Sequence, residues 1–145
     1  MSLLKLKIVS PEKKVFEEDD FESITIPTGD GEVTILPNHI PLVSKVVPGE
    51  IIARKKGREE LLITLNGFLK LSEEGEVLIL SDYAVRSEDV EIERVEAAKK
   101  KAEDTMKEKV SEKEFAVAEA ELRRTLLELK VARKRKMKVS GQNTL

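Results

Sequence analysis

An all-β N-terminal sandwich of about ten short strands, followed by a C-terminal antiparallel α-helical hairpin, is the fold class that three observations predict. Apolar and polar residues alternate up to about Arg86, punctuated by turn signals every 8–12 residues or so. Near Ser87 the apolar spacing changes to three and four, and neither Gly nor Pro interrupts Asp89–Val110. A second helical pattern begins only a few residues later, too few for anything but an antiparallel pair. The expected domains are 1–86 and 87–145, with helices at about 89–109 and 112–138 and a flexible tail at 139–145.

The strands follow in order. Leu4, Leu6 and Ile8 alternate with Lys5 and Lys7 until Ser10-Pro11-Glu12 breaks the run. Lys14-Val15-Phe16 reads as a short strand, and Phe21–Ile26 alternates again. Thr28-Gly29-Asp30-Gly31 is a turn whose glycines supply positive φ. Val33–Leu36 stops at Pro37. Leu42-Val43 and Val46-Val47 flank a polar pair before Pro48-Gly49. Ile51–Ala53 leads to the Lys55-Lys56-Gly57 turn. Leu61–Leu65 meets Asn66-Gly67, a strong hairpin signal, and Phe68–Leu71 is expected to return. Ser72–Gly75 turns, and Val77–Leu80 closes the series. No helix-length segment separates these strands, which argues against a parallel α/β sheet.

In the second half, Ile92, Val95, Ala98, Ala102 and Met106 mark one helix face, with Ser87 or Asp89 as the expected cap. Lys107–Lys109 suits the negative end of the dipole. Ser111-Glu112-Lys113-Glu114 fits a capping box. It opens a helix whose packing face is expected at Phe115, Ala118, Leu122, Leu126 and Leu129, ending near Gly141. Six alanines permit close approach of the two helices. A two-helix hairpin has little core: apolar burial at about 25 cal/mol/Å² is roughly offset by about 1.5 kcal/mol of ordering entropy per residue. The hairpin is therefore expected to depend on docking. A marginal element with two docking surfaces is what a conformational switch requires.

Composition excludes several chemistries. Charged residues make up 37% of the 145 and aromatics 3%, so the core must be aliphatic. There is no Cys, which removes disulfides and thiolate metal sites and fits a reducing compartment; with the single His39, no multi-histidine site can form. Net charge is -2, which gives no reason to expect nucleic acid. It divides unevenly: 11 basic and 15 acidic residues in 1–86 give -4, and 15 and 13 in 87–145 give +2. The basic excess lies almost entirely in Arg133–Lys138. No apolar run approaches the roughly 20 residues of a membrane-spanning helix. Met1–Ser10 alternates instead of forming an apolar block, so no signal peptide is expected.

The individual residues support bland readings first. His39, between Pro37 and Pro41, has no sequence-evident catalytic partner, and local hydrogen bonding accounts for it. Asp30 and Glu32 are turn acids of the kind that is normally solvated. Gly29-Asp30-Gly31 and Asn66-Gly67 neither open a helix nor precede Lys-Ser/Thr, so they are turns and not phosphate loops. Arg133–Lys138 reads first as a solvated helix end with favourable dipole placement. Without aromatic partners it is weak evidence for nucleic acid or lipid. No nucleophile–base set can be assembled, so no enzyme is expected.

Two segments together are more specific. Gly31–Val43 reads G-E-V-T-I-L-P-N-H-I-P-L-V, and Leu65–Leu71 reads L-N-G-F-L-K-L. They resemble the epsilon-subunit family of bacterial and chloroplast ATP synthases, which carries G-E-x-x-I-L-P-x-H-x-P-L and G-G-F-L-x-V in this order. Lys5–Pro11 is similar to that family's first strand, and the likeness spans essentially the whole chain. The resemblance implies a ten-stranded sandwich with a helical hairpin, forming a non-catalytic central-stalk (rotor) subunit. Its implied partners are the gamma subunit, the c-ring subunits and the alpha/beta catalytic subunits, with no nucleic acid. The implied gamma/c-ring interface is Asp30, Gly31, Glu32, Pro37, Asn38, His39 and Pro41. The implied regulatory beta-subunit contact is Arg123, Arg124, Arg133, Lys134, Arg135 and Lys136, reached when the hairpin extends and restrains ATP hydrolysis. The implied location is the cytoplasmic face of a bacterial cell membrane, peripheral and held only through the complex.

There are departures from the family pattern. Asn38 and Asn66 stand where the family most often has Gly, and Asn tolerates left-handed backbone. A nucleotide site in the hairpin would draw on Glu91, Arg94 and Arg124. Here Glu91 replaces Asp, Val95 replaces Ala, and Glu128 puts a carboxylate at a family arginine position, opposing any phosphate. No cofactor is therefore expected. An alternative from another class is a β-sandwich adaptor or chaperone-like binding module with a helical arm, holding apolar segments between its helices.

Overall fold

The computed structural model describes residues 3–142, with side chains as far as Arg135. The chain divides into two compact units, Met1–Arg86 and Ser87–Leu145.

The first unit contains strands β1 (Leu4–Val9), β2 (Lys14–Phe21), β3 (Ser23–Thr28), β4 (Gly31–Ile35) and β5 (Leu42–Val46), then β6 (Gly49–Lys55), β7 (Arg58–Thr64), β8 (Gly67–Leu71), β9 (Glu76–Ser81) and β10 (Ala84–Arg86). They form one sheet in the order β10-β7-β6-β3-β5-β8-β9-β1-β2, with β4 paired to β3. Pairing is antiparallel except between β1 and β9. The two ends of this order, β10 and β2, lie against each other. The sheet thus curls into a barrel-like sandwich around a single aliphatic core, to which all ten strands contribute. In β1 the alternation puts Leu4, Leu6 and Ile8 inside and Lys5 and Lys7 outside. Phe21, Ile26, Ile35, Leu62, Leu69 and Ile79 are likewise fully buried. Each such side chain contributes about 1.5–3 kcal/mol relative to exposure.

The closing seam is held by side chains. Glu18 of β2 accepts hydrogen bonds from Lys55 at 2.9 Å and from Arg58, at the two ends of the β6–β7 turn. The Lys55 ammonium lies 4.5 Å from the Phe21 ring centroid, and the Arg86 guanidinium of β10 lies 5.5 Å from that of Phe16. Burial pushes the Glu18 carboxyl up, but the hydrogen bonds and charges of Lys55 and Arg58 outweigh it and hold the group below its ordinary value.

Three local expectations change. The strand beginning at Lys14 continues to Phe21, because a bulge marked by Asp20 at φ 68° resets its parity. Phe16 and Phe21, an odd number of residues apart, can therefore both face the core, their ring centroids 6.1 Å apart. Leu42–Val46 is one strand, not two fragments around a polar pair. Asn66-Gly67 makes no hairpin: β7 pairs with β6 and β10, whereas β8 pairs with β5 and β9. Glycine is needed at 67 for close approach, since a Cβ there would stand 2.0 Å from the Leu80 carbonyl oxygen. Backbone bonds from Leu65 N–H to Tyr83 and from Asp82 N–H to Asn66 tie this corner to the β9–β10 connection.

The second unit has a 3-10 turn at Ser87–Asp89, then α1 (Ile92–Lys107) and α2 (Glu112–Gln142). Ser87 and Asp89 belong to the 3-10 turn, so neither caps α1. The cap is Glu91, in extended backbone and with no side-chain capping bond. Ser111 does cap α2, its Oγ accepting the Glu114 N–H at 3.1 Å. Helical backbone passes through Gly141 to Gln142, correcting the expected stop and the expected tail at 139–142. One glycine disfavours helix by only about 1 kcal/mol. Positions 143–145 lie outside the described residues. On α1, Val95 and Ala102 are buried, as the face reading expects. On α2 the buried residues are Ala118, Thr125, Glu128, Leu129, Val131 and Ala132, while Phe115 and Leu126 are exposed. Thr125 displaces Leu126 because its hydroxyl donates to the Leu122 carbonyl at 2.8 Å, which removes the cost of burying it.

Candidate functional site

The residues singled out around β4 form two groups. Asp30, Gly31 and Glu32 belong to the tight β3–β4 turn, all exposed, with Gly31 at φ 109°. Thr28 organises this turn: its Oγ1 donates to the Gly31 carbonyl at 2.6 Å and accepts the Asp30 N–H at 3.3 Å. Pro37, Asn38, His39 and Pro41 lie in the β4–β5 connection, at the other end of β4. The stretch from Glu32 to Pro37, at about 3.4 Å rise per residue, holds the two groups roughly 17 Å apart. In the second group Asn38 takes the left-handed conformation, φ 69°, and the His39 N–H donates to the Leu36 carbonyl at 3.2 Å. The His39 Nδ1–H donates to the Ile40 carbonyl at 2.7 Å, which engages that ring nitrogen within its own loop.

A set of exposed apolar residues lies beside the two groups, and the sequence reading did not single it out. Ile40 (76% exposed) and Val43 (74%) lead along β5 to Phe68 (62%) on β8 and Leu80 (50%) on β9. Register fixes the arrangement: Lys45 pairs with Phe68, Phe68 with Leu80, Leu80 with Val9, and Val43 with Lys70. Val43 is therefore a diagonal neighbour of Phe68 on one face. Next to this row, Gly29 of the acidic turn donates to the Lys45 carbonyl at 3.0 Å. A shallow groove of about 420 Å³ runs beside Phe68 and Leu80, with Lys45 and Pro11 on its rim. Contiguous exposed apolar surface with a charged border is characteristic of a protein interface. The available signal was parity. Leu69 and Leu71 are buried, so Phe68 must face outward; Val77 and Ile79 are buried, so Leu80 must too.

In the helical unit Arg123, Arg124, Arg133 and Arg135 are engaged in ion pairs. Arg123 pairs with Glu119 at 2.8 Å, and Arg124 with Glu121 at 2.7 Å and with Glu128 at 3.4 Å, all within α2. Arg133 reaches Glu96 of α1 at 3.2 Å, and Arg135 reaches Glu88 of the 3-10 turn at 3.5 Å. Lys134 is half-buried, and the Lys136 side chain lies outside the described residues. Of the residues considered for a nucleotide, Glu91 and Arg94 are exposed at the start of α1. Arg124 is embraced by two carboxylates, Glu128 among them and buried, which is unsuited to a phosphate. An open groove of about 600 Å³ lies between the helices over Ala98, Ala102, Val117 and Ala118. Among the described residues no cluster of three or more His, Cys, Asp or Glu could hold a metal ion. No described helix is long and apolar enough to cross a membrane.

Residues 3–87 match the family described as ATP synthase, Delta/Epsilon chain, beta-sandwich domain. The ATP synthase epsilon chain of Dehalococcoides mccartyi is 40% identical over 137 residues, which is 94% of this chain and 96% of that one. That of Caldanaerobacter subterraneus subsp. tengcongensis is 37% identical over 130 residues, covering 89% and 93%. Among solved structures, a chain of the Euglena gracilis mitochondrial ATP synthase OSCP/F1/c-ring assembly superposes with a TM-score of 0.62 at 19% identity, over 96% of this chain and 82% of that one. A chain of the Tetrahymena thermophila mitochondrial ATP synthase central stalk/c-ring gives 0.54 at 15% identity, over 89% and 96%. At these identities the structures speak for the fold.

Proposed function

The chain belongs to the ATP synthase epsilon-chain family, as a non-catalytic subunit of that complex, and from that premise we propose that its sandwich fixes the rotating gamma subunit to the c ring while its hairpin restrains ATP hydrolysis. The complex would hold the chain peripherally at the cytoplasmic face of the membrane. The observation that carries this reading is the exposed track from Ile40 and Val43 to Phe68 and Leu80. A rigid sheet presenting apolar surface between two lysines suits a permanent grip on a protein shaft, because apolar burial holds and the charges set register. The acidic turn at Asp30 and Glu32 and the loop at Pro37–Pro41 end this surface and would meet gamma or the polar loops of the c ring. On the second helix, Arg123, Arg124, Arg133, Lys134, Arg135 and Lys136 would meet acidic residues of a catalytic beta subunit.

The test uses two variants in reconstituted complexes. Val43→Asp/Phe68→Asp changes only exposed positions, so the fold should persist, and copurification with gamma should fall at least about tenfold, two buried charges costing well over 1.4 kcal/mol. Undiminished copurification would defeat the grip. Removal of 87–145 should raise hydrolysis by the catalytic head; unchanged hydrolysis would remove the brake and leave the grip standing.

A further inference from the structure

The hairpin's basic residues fall into two kinds. The partners of Arg123 and Arg124 (Glu119, Glu121 and Glu128) lie on α2 itself and travel with it. The ion-pair partners of Arg133 and Arg135 do not: Glu96 belongs to α1 and Glu88 to the 3-10 turn. A motion that carries α2 away from both α1 and the 3-10 turn leaves the first pairs intact and breaks the second. We infer that Glu88 and Glu96 are internal decoys, occupying Arg133 and Arg135 while the hairpin is closed, so that an acidic segment of a partner protein must compete with them. The inference rests on the reading of these arginines as contacts for an acidic partner, and it assigns that contact a gate.

The decoy is built to compete and not to lock. Side-chain exposure is 60% and 52% for Arg133 and Glu96, and 43% and 38% for Arg135 and Glu88. Ion pairs this exposed are each worth a factor of roughly 1.4 to 5 in an equilibrium, and salt screens them. Two pairs therefore bias the hairpin modestly toward closure, and several carboxylates presented together can displace them. The donor geometry suits such an exchange, since a guanidinium passes from one carboxylate to another without changing protonation.

The probe is a polyglutamate peptide titrated against the full chain at low ionic strength, followed by fluorescence anisotropy. Glu88→Gln/Glu96→Gln should tighten binding about two- to tenfold, and the gain should disappear at high salt. Glu93→Gln/Glu112→Gln removes the same charge from exposed positions at the starts of α1 and α2 and should change affinity less than about twofold. Adding Arg133→Gln/Arg135→Gln should abolish the gain from the decoy variant. The inference is overturned if the decoy variant binds no tighter, if the control tightens equally, or if the gain survives loss of both arginines. Assembly with gamma plays no part in this titration, so its outcome and that of the rotor reading are separable.

Discussion

The sandwich and the hairpin solve the same problem with different materials. In the sandwich one aliphatic cluster takes side chains from ten strands, most of them with no exposed surface. In α1 only Val95 and Ala102 are buried, and α2 buries a threonine and a glutamate beside two alanines, a leucine and a valine. Charge is arranged differently as well. On the sandwich it closes a seam already backed by Phe16 and Phe21; in the helical unit Arg133–Glu96 joins α2 to α1 and Arg135–Glu88 joins α2 to the 3-10 turn through exposed side chains. A part that must transmit force without yielding needs the first construction. A part that must leave its resting place needs the second, because exposed ion pairs reform wherever an opposite charge is offered. Under the proposed function, low local stability of the hairpin would serve its role.

The largest test of this contrast is Leu6→Ala. Leu6 has no exposed surface and sits between Leu4 and Ile8 on the core face of β1. Truncation should cost about 2–5 kcal/mol, read as a fall in the denaturant midpoint of the strands. Hydrogen exchange on the unmodified chain should show β1 and β9 amides slower than those of α1, and Leu6→Ala should narrow that gap from the sandwich side. Equal protection of α1 and β1 in the unmodified chain would break the comparison.

Much of this difference could be read from residue order alone, and the failures have physical causes. Period-two alternation around Leu4–Ile8 and three–four spacing around Val95 and Ala102 are consequences of burial on one face, so they report fold class directly. The parity change between Phe16 and Phe21 was hidden, because a bulge requires knowing that both rings are inside. Asn66-Gly67 misled because glycine serves two purposes: it permits turns, and it permits the 2.0 Å encroachment that any Cβ at 67 would make on Leu80. Leu126 was assigned to the α2 packing face by hydrophobicity, yet Thr125 occupies it with its hydroxyl satisfied by Leu122. Around the candidate interface, the turn at Asp30 and the loop at His39 stood out as motifs. Val43, Phe68 and Leu80 did not, since an exposed apolar residue in a strand is visible only once neighbouring parity is known. The Arg133–Glu96 pair, 37 residues apart, depends on how the hairpin is registered and has no signature in either segment.

The smallest effect sharpens the comparison most, because it asks whether charge in the sandwich is structural or incidental. Glu18 has a folded-state affinity for protons below that of the unfolded chain, with Lys55 and Arg58 outweighing burial. The sign follows from that direction. Above the ordinary value of 4.5, Glu18 is charged in both states and its stabilisation is fully present; as pH falls through the lower folded value, the native carboxylate is protonated and the stabilisation is lost. Its side chain is 31% exposed, so the contribution is about 0.5–1 kcal/mol. Glu18→Gln should lower sandwich stability by that amount at neutral pH, and the deficit should shrink toward zero as pH drops below 4.5. The measurement is the difference in denaturant midpoint between the two proteins across that range. A deficit that stays constant with pH would mean that the Lys55 and Arg58 contacts are incidental, and that the seam is closed by the Phe16 and Phe21 packing alone.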